Sequence, residues 1–389
     1  MTSPSRSPSA FSHLECSRTG ETVDADGLRN LSAAGAPLLA RYDLERARAT
    51  LRPGQRDARA RSLWRYAEVL PDPGAAGPVT LDEGLTPLVA TPRLGRRLGV
   101  PGLLIKDESR NPLGSFKDRG MSVAVSMARA LGARALAIPT AGNAGGSAAA
   151  YAARAGLAAH VFMPADAEHA NVREVERAGA ALTLVDGFLH DCARIVARRA
   201  PTEGWFDVST FKEPYRVEGK KTMGYELVEA LGDVPDVILY PTGGGTGLVG
   251  MWKAFEEMEA LGWLGRRRPR MVCVQATGCA PLARAFEAGA ETAEVWESPT
   301  THVHGLRAPR VLADFLCLNA IRASEGTAIA VSDEAMHAMQ TTAASAEGLS
   351  ICPEGAACLV ALERLREAGW LGADERVVAF NTASALKYA

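Results

Sequence analysis

From Leu103 onward this chain repeats one pattern: a short apolar run, a glycine-rich loop, then a helix-forming stretch. Leu103–Lys106 precedes a turn and a helix that opens near Lys117. Ala135–Ile138 precedes the loop Thr140–Gly146 and a helix expected from about Ser147 to Ala155. Ala158–Met163, a helix over Ala170–Ala178, the strand Ala181–Val185 and a helix through Ala197 follow. Val237–Tyr240 leads into a third loop and a helix over Leu248–Leu261, with Met271–Val274 as the next strand. Short apolar strands alternating with long helices dictate an α/β fold of parallel sheets covered on both faces. Ligands in such sheets sit beyond the carboxyl ends of the strands, where these loops lie.

The first 75 residues break the pattern. They are polar and Arg/Ala-rich, with helices expected over Asp43–Leu51 and Asp57–Tyr66, and the cluster Pro71-Asp72-Pro73-Gly74 marks their end. A length of 389 residues suggests two or three domains. A formal net charge of −2 with 23% charged residues gives no electrostatic footprint for nucleic acid or membrane. The one dense basic run, Arg266-Arg267-Arg268-Pro269-Arg270, reads as a solvated loop. Seven scattered cysteines, never spaced C-x-x-C, read as reduced cytosolic thiols. No apolar signal region precedes His13, and no run approaches the roughly 18 residues that span a bilayer. A cytoplasmic protein is expected.

Three loops carry the chemistry. In Asn111-Pro112-Leu113-Gly114-Ser115-Phe116-Lys117-Asp118-Arg119-Gly120, Ser115 and Asp118 are spaced as a capping box, which places Lys117 in a first helical turn. The positive end of a helix disfavours an ammonium, so such a lysine shifts toward the neutral amine that imine chemistry needs. The loop Thr140-Ala141-Gly142-Asn143-Ala144-Gly145-Gly146 offers backbone N–H groups to a carboxylate. The loop Pro241-Thr242-Gly243-Gly244-Gly245-Thr246-Gly247 forms an N–H nest fit for a phosphate. Gly245-Thr246-Gly247-Leu248-Val249-Gly250 also matches G-x-G-x-x-G. A dinucleotide site needs an acidic residue at the end of the next strand, and Gln275-Ala276-Thr277-Gly278 has none. A poised lysine, a carboxylate loop and a monophosphate loop together describe pyridoxal 5'-phosphate and an amino acid.

In these loops and the stretches between them, the chain resembles the threonine synthase family of the fold-type II, tryptophan synthase β-like enzymes. The matching stretches, in order, are Glu83-Gly84-Leu85-Thr86-Pro87-Leu88, Gly114–Gly120, Ala141-Gly142-Asn143, Glu213–Thr222, Gly243–Gly247, Pro353-Glu354-Gly355-Ala356-Ala357 and the tail from Phe380 to Tyr388. The resemblance implies two open twisted parallel-sheet domains, a large one from 76–118 with 213–389 and a small one at 119–212. It implies an N-terminal extension at 1–75 that resembles a degenerate zinc ribbon, a homodimer, and a small amino acid as substrate. By the same resemblance, Lys117 is the catalytic lysine that forms the Schiff base. Asn143 meets the cofactor's 3′-oxygen, and Gly243, Gly244, Gly245, Thr246 and Gly247 cradle its phosphate. Thr382 meets the pyridine nitrogen. Thr140, Ala141, Gly142 and Ala144 would take the substrate carboxylate, and Arg216 a second phosphate, with Lys220 or Lys221 and Thr210 nearby. A neutral hydroxyl at the pyridine nitrogen makes a weaker electron sink than a carboxylate does, which suits elimination and replacement.

The implied reaction turns O-phospho-L-homoserine and water into L-threonine and phosphate. The alternative on the same scaffold is another β/γ-elimination or replacement on O-phosphoserine, threonine or a specialised amino acid. A relative that has lost catalysis and serves as an interaction subunit is a third reading, opposed by the intact lysine, Asn143, glycine loop and Thr382. Three departures mark the chain. The tail reads Asn381-Thr382-Ala383-Ser384-Ala385 where the family has glycines, so two methyl groups would crowd a turn requiring positive φ or narrow the site. Thr301-His302-Val303-His304-Gly305 stands where long-form relatives carry Thr-Ile-Ala; two histidines alternating on a strand would share a face, with His304 lining the site. Cys16 stands where a ribbon would have up to four cysteines, so no metal is expected there or at the histidines.

Overall fold

The computed structural model describes residues 8–54 and 59–388, which form two compact units. One unit takes in Thr86–Phe116, Glu226–Trp252 and Arg266–Ala389; the other takes in Met1–Leu85, Lys117–Tyr225 and Lys253–Gly265.

The first of these is built on a six-stranded sheet. Its order is Thr327–Val331, Arg270–Ala276, Val237–Pro241, Val377–Asn381, Leu104–Asp107 and Leu88–Ala90. Every pairing is parallel except that of the edge strand Leu88–Ala90. The central strand Val237–Pro241 is buried at all five positions, as expected where helices cover both faces. Its core joins Leu239, Val272, Val274, Val377 and Ala379 to the helix Pro353–Glu367 through Ala357, Leu359 and Val360.

The second unit holds a four-stranded parallel sheet, ordered Ala181–Val185, Ala158–Pro164, Ala135–Pro139 and Phe206–Asp207. Helices Lys117–Ala130, Asn143–Ala155, His169–Arg177 and Leu189–Glu203 connect its strands or precede them. It also holds a three-stranded antiparallel sheet of Thr22–Val23, Phe11–Cys16 and Leu38–Tyr42. Leu14, Cys16, Leu38 and Ala40 from that sheet pack on Val123, Ala124, Met127 and Tyr215. Cys16 donates its thiol to Ser32 Oγ at 3.1 Å.

The N-terminal helices fall elsewhere than expected. The first covers only Leu44–Arg48, capped by Asp43, which accepts from Arg46 N. Asp57 and Ala58 lie outside the described residues, and the following helix is a 3₁₀ segment, Leu63–Val69, capped by Ser62. Among the described residues no helix is long and apolar enough to cross a membrane.

Candidate active site

Lys117 is the first residue of the helix Lys117–Ala130 and is half-buried. Gly114, at φ +71, makes the turn before it, where Gly114 N donates to Asn111 O at 2.8 Å. Asp118 is fully buried and its Oδ1 accepts from Ser147 Oγ at 2.5 Å. Ser147 lies on the helix of the second loop, so this contact ties the lysine helix to the Asn143 helix. Sequence reasoning passed over Ser147, although it lies one turn after Asn143.

That second helix begins at Asn143, four residues before the expected start. Gly142 is its N-cap, and Thr140 Oγ1 both accepts from Gly142 N and donates to Gly142 O at 3.1 Å. The early start places Asn143 and Ala144 in the first turn, where backbone N–H groups have no partner within the helix. A helix start of this kind is a seat for an anion. Gly145 has no room for a side chain: a Cβ there would meet Thr140 Cγ2 at 2.8 Å. Glu83, from the first family motif, serves this region as support; its carboxylate accepts from Tyr151 on the same helix at 2.5 Å.

Arg216 opens the helix Arg216–Leu231 and is 1% exposed. Glu213 caps that helix, accepting from the backbone N–H of Tyr215 and Arg216 at 2.8 and 2.9 Å. Arg216 donates from one Nη to Val208 O at 2.7 Å, and among the described residues its buried Nε meets no partner. Phe211, in the loop before it, holds φ +59, an uncommon state for a bulky residue. The adjacent lysines part company. Lys221 is engaged by Glu218 and Glu257 at 2.6 and 3.0 Å. Lys220 lies against Gly120 of the lysine helix.

In the other unit, the glycine loop joins Val237–Pro241 to the helix Thr246–Ala260, which starts two residues before the expected Leu248. Gly245 holds φ +82. A Cβ on Gly243 would strike the Gly305 carbonyl, and one on Gly247 would strike the Tyr240 hydroxyl. The cradle therefore tolerates only glycine at these places. Gln275, in the position a dinucleotide site reserves for an acid, instead clamps the loop: its Nε2 donates to Thr242 O at 3.0 Å.

Thr382 follows the strand Val377–Asn381 and is 4% exposed. Its carbonyl accepts from Phe116 N at 3.0 Å, one residue before Lys117, and its hydroxyl lies 3.7 Å from Cys352 Sγ. Ala383 bridges to Ser115 in extended pairing, and Ala385 opens a 3₁₀ segment. Neither has positive φ, so their methyl groups strain no left-handed turn. The histidine segment is likewise not a strand. His302 is exposed, with its N–H on Asp333; His304 Nδ1 is 2.8 Å from an Arg307 Nη. The turn that replaces the strand presents Gly305 O to Gly243 and so lies on the glycine loop. Among the described residues, no group of three or more His, Cys, Asp or Glu side chains is placed to hold a metal ion.

The family model for pyridoxal-phosphate dependent enzymes matches residues 79–383. A threonine synthase of Methanosarcina acetivorans is 36% identical over 328 residues, 84% of this chain and 80% of its own length. A threonine synthase of Methanocaldococcus jannaschii is 32% identical over 374 residues, 96% of this chain and 92% of its own. The chain belongs to the threonine synthase family. Its fold is shared with the processed threonine deaminase isoform 2 of Solanum lycopersicum (TM-score 0.66, 20% identity, covering 77% of this chain and 83% of that one). Maize serine racemase shares it as well, at a TM-score of 0.67 and 20% identity over 77% of this chain and 88% of that one. This member of the family is thus a pyridoxal phosphate-dependent lyase of fold type II, threonine synthase-like in function.

The residues present fit the cofactor. Gly243 and Gly247, which exclude any Cβ, Gly245 at positive φ, and a helix start at Thr246 make a phosphate cradle. A half-buried lysine at a helix start fits the aldehyde.

Proposed function

We propose that this enzyme converts O-phospho-L-homoserine and water to L-threonine and inorganic phosphate. When bound, pyridoxal phosphate supplies an aldehyde for the amine and a ring that accepts electrons. In this reading Lys117 Nζ would hold the cofactor's aldehyde and would move the proton at the substrate's Cα. Asn143 hydrogen-bonds the cofactor's 3′-oxygen, and Gly243 through Gly247 bind its phosphate, with the Thr246 hydroxyl as a further donor. Thr382 meets the pyridine nitrogen. The N–H groups at Thr140, Ala141, Gly142 and Ala144 hold the substrate carboxylate. A cytoplasmic homodimer acting on a small amino acid is the form this reading carries.

The observation that carries the substrate assignment is Arg216. A guanidinium buried to 1% exposure, with Nε unsatisfied among the described residues, suits a bidentate partner such as a phosphate. Elimination from unphosphorylated threonine or serine has no second phosphate to offer it. The test is a side-by-side assay of phosphate release and threonine formation from O-phosphohomoserine, O-phosphoserine and threonine. Threonine formed from O-phosphohomoserine alone, with one phosphate released per turnover, supports the reading. An enzyme that ignores that substrate and turns over another overturns it.

A further inference from the structure

Asn30 lies between the N-terminal strands Thr22–Val23 and Leu38–Tyr42, yet its side chain bonds a turn far along the chain. Its Nδ2 donates to Asp207 O at 2.8 Å, 177 residues away, and to Lys212 O at 3.2 Å. The two hydrogens of one amide group thus span both ends of the turn 207–212. The turn is also closed from within. The Asp207 carboxylate accepts from Ser209 N at 3.0 Å, from the Ser209 hydroxyl, and from Lys212 Nζ at 2.9 Å. Phe211, buried inside it, holds its φ of +59. A bulky residue keeps such a conformation only where its surroundings impose it.

This turn sets the guanidinium of Arg216. Val208 O, within the turn, accepts from an Arg216 Nη at 2.7 Å, while the buried Nε meets no partner among the described residues. A guanidinium already fixed by one carbonyl pays less to order itself around a ligand. The segment carrying Asn30 is anchored in turn. Two residues on, Ser32 Oγ accepts from the Cys16 thiol at 3.1 Å and from Ala36 N at 3.2 Å. Leu14, Cys16 and Leu38 pack in one core with Tyr215, the residue before Arg216.

We propose that Asn30 is a positioning residue for phosphate recognition: it braces the turn 207–212 so that Val208 O holds the Arg216 guanidinium ready for a phosphate. The N-terminal sheet then serves the site by carrying this brace, with Cys16 bonded to Ser32 as its anchor. The proposal rests on the reading of Arg216 as the partner of the substrate's phosphate.

The test is calorimetric titration of inorganic phosphate into the full-length, cofactor-loaded enzyme. The difference between wild type and Arg216→Ala defines the phosphate that Arg216 holds. Asn30→Ala should weaken that binding by about three- to tenfold, the size expected for losing one or two hydrogen bonds. Asn30→Asp keeps the shape but has no donor and turns a carboxylate toward two carbonyls. It should lose at least as much, and it stands in if the Ala variant is not folded. In the Arg216→Ala background neither change should weaken phosphate binding further, and the cofactor's absorbance should match wild type throughout. Unchanged affinity in the Asn30 variants, or an equal further loss without Arg216, overturns the proposal. A wild type whose phosphate binding is indifferent to Arg216→Ala overturns it together with the reading of Arg216. A wild type that binds phosphate through Arg216 but ignores O-phosphohomoserine overturns the substrate assignment alone, and the brace is then judged on its phosphate affinities.

Discussion

Lys221 Nζ lies 2.6 Å from Glu218 Oε2 with both side chains fully buried. Lys253 joins the same carboxylate at 3.0 Å and Glu257 at 2.5 Å, so two lysines and two glutamates neutralise one another in the interior. Tyr42 donates to Glu218 at 2.7 Å, Tyr225 to Glu257 at 2.9 Å, and Lys221 also donates to Val69 O at 2.6 Å. Burial drives Glu218 upward, yet Lys221 and Lys253 outweigh it and hold the carboxyl below its usual range. The cluster thereby fastens Tyr42, at the end of the N-terminal sheet, to the helix that carries Arg216.

Breaking this cluster should cost stability, whereas its sequence neighbour should not. Removing one partner of a buried pair typically costs about 3–5 kcal/mol. Lys221→Met should lose about 3 kcal/mol in urea unfolding, because Lys253 still offsets part of the acid charge. Lys220→Met should lose little, since burial already disfavours its charged form. Equal losses at 220 and 221 would mean that the two lysines are not separated as described.

Arg216→Ala tests the substrate's phosphate. Losing a buried charge-assisted contact costs roughly 2–5 kcal/mol, so kcat/KM for O-phosphohomoserine should fall by about 30-fold to several thousandfold. The cofactor spectrum should stay normal, and deamination of threonine or serine should be far less affected. Matching losses on phosphorylated and unphosphorylated substrates would assign Arg216 to structure, through its bond to Val208 O.

Glu213 gives a pH dependence with a definite sign. Burial pushes its carboxyl up from 4.5 to about 7, against Arg216 and the backbone N–H groups of Tyr215 and Arg216, which pull it down. The folded state therefore binds a proton that the unfolded chain has released between those values. Stability contributed by this group is full below about pH 4.5 and is lost as pH rises through 7. At about 1.4 kcal/mol per unit, the loss is on the order of 3 kcal/mol. Glu213→Gln should lack this slope: less stable than wild type at pH 4.5, it should gain on it steadily up to pH 7.5. Parallel stability curves for the two proteins would show that Glu213 stays charged.

Much of this arrangement was legible in the sequence because local patterns carried it. The apolar runs at Ala135–Ile138, Ala181–Val185 and Val237–Tyr240 became strands within a residue of their expected ends. What escaped was set by distant partners. Val377–Asn381 sits in the middle of the six-stranded sheet, between Val237–Pro241 and Leu104–Asp107, yet nothing near it in the chain marks it as central. Asn143 entered the helix early because Gly142 with Thr140 makes the turn, which frees the following residues for helical bonds. The histidine segment read as a strand by alternation alone; the bond from His302 N to Asp333 and the turn at Val303–Leu306 bend it instead. Lys220 and Lys221 are indistinguishable by sequence, and only the Gly120–Gly219 contact on one side and Glu218 with Glu257 on the other separate them.

The N-terminal sheet yields a prediction about metal. Cys16 makes its bond to Ser32, and a tetrahedral zinc site needs four ligands. Elemental analysis of dialysed protein should find well under one zinc per chain. A stoichiometric, retained zinc would contradict this account of the sheet.

Gly247 sits where the phosphate loop and the aromatic packing before Lys117 meet. The Tyr240 hydroxyl fills the space a Gly247 side chain would need. The Tyr240 ring stands edge-on to Phe116 at 6.1 Å and to Phe380 at 5.1 Å between centroids, and Phe116 directly precedes Lys117. An added methyl group at Gly247 cannot be absorbed by a small shift, because ring and loop belong to one strand–turn–helix unit. Overpacking of this kind costs typically 1–3 kcal/mol. Gly247→Ala should therefore weaken cofactor binding by about 10- to 100-fold in a fluorescence titration. Gly247→Ala combined with Tyr240→Val, which vacates the space, should recover part of that loss, while Tyr240→Val alone should bind less well than wild type. Undiminished affinity in the single Gly247→Ala variant would show that the loop yields, and that the glycine is there for some reason other than the tyrosine.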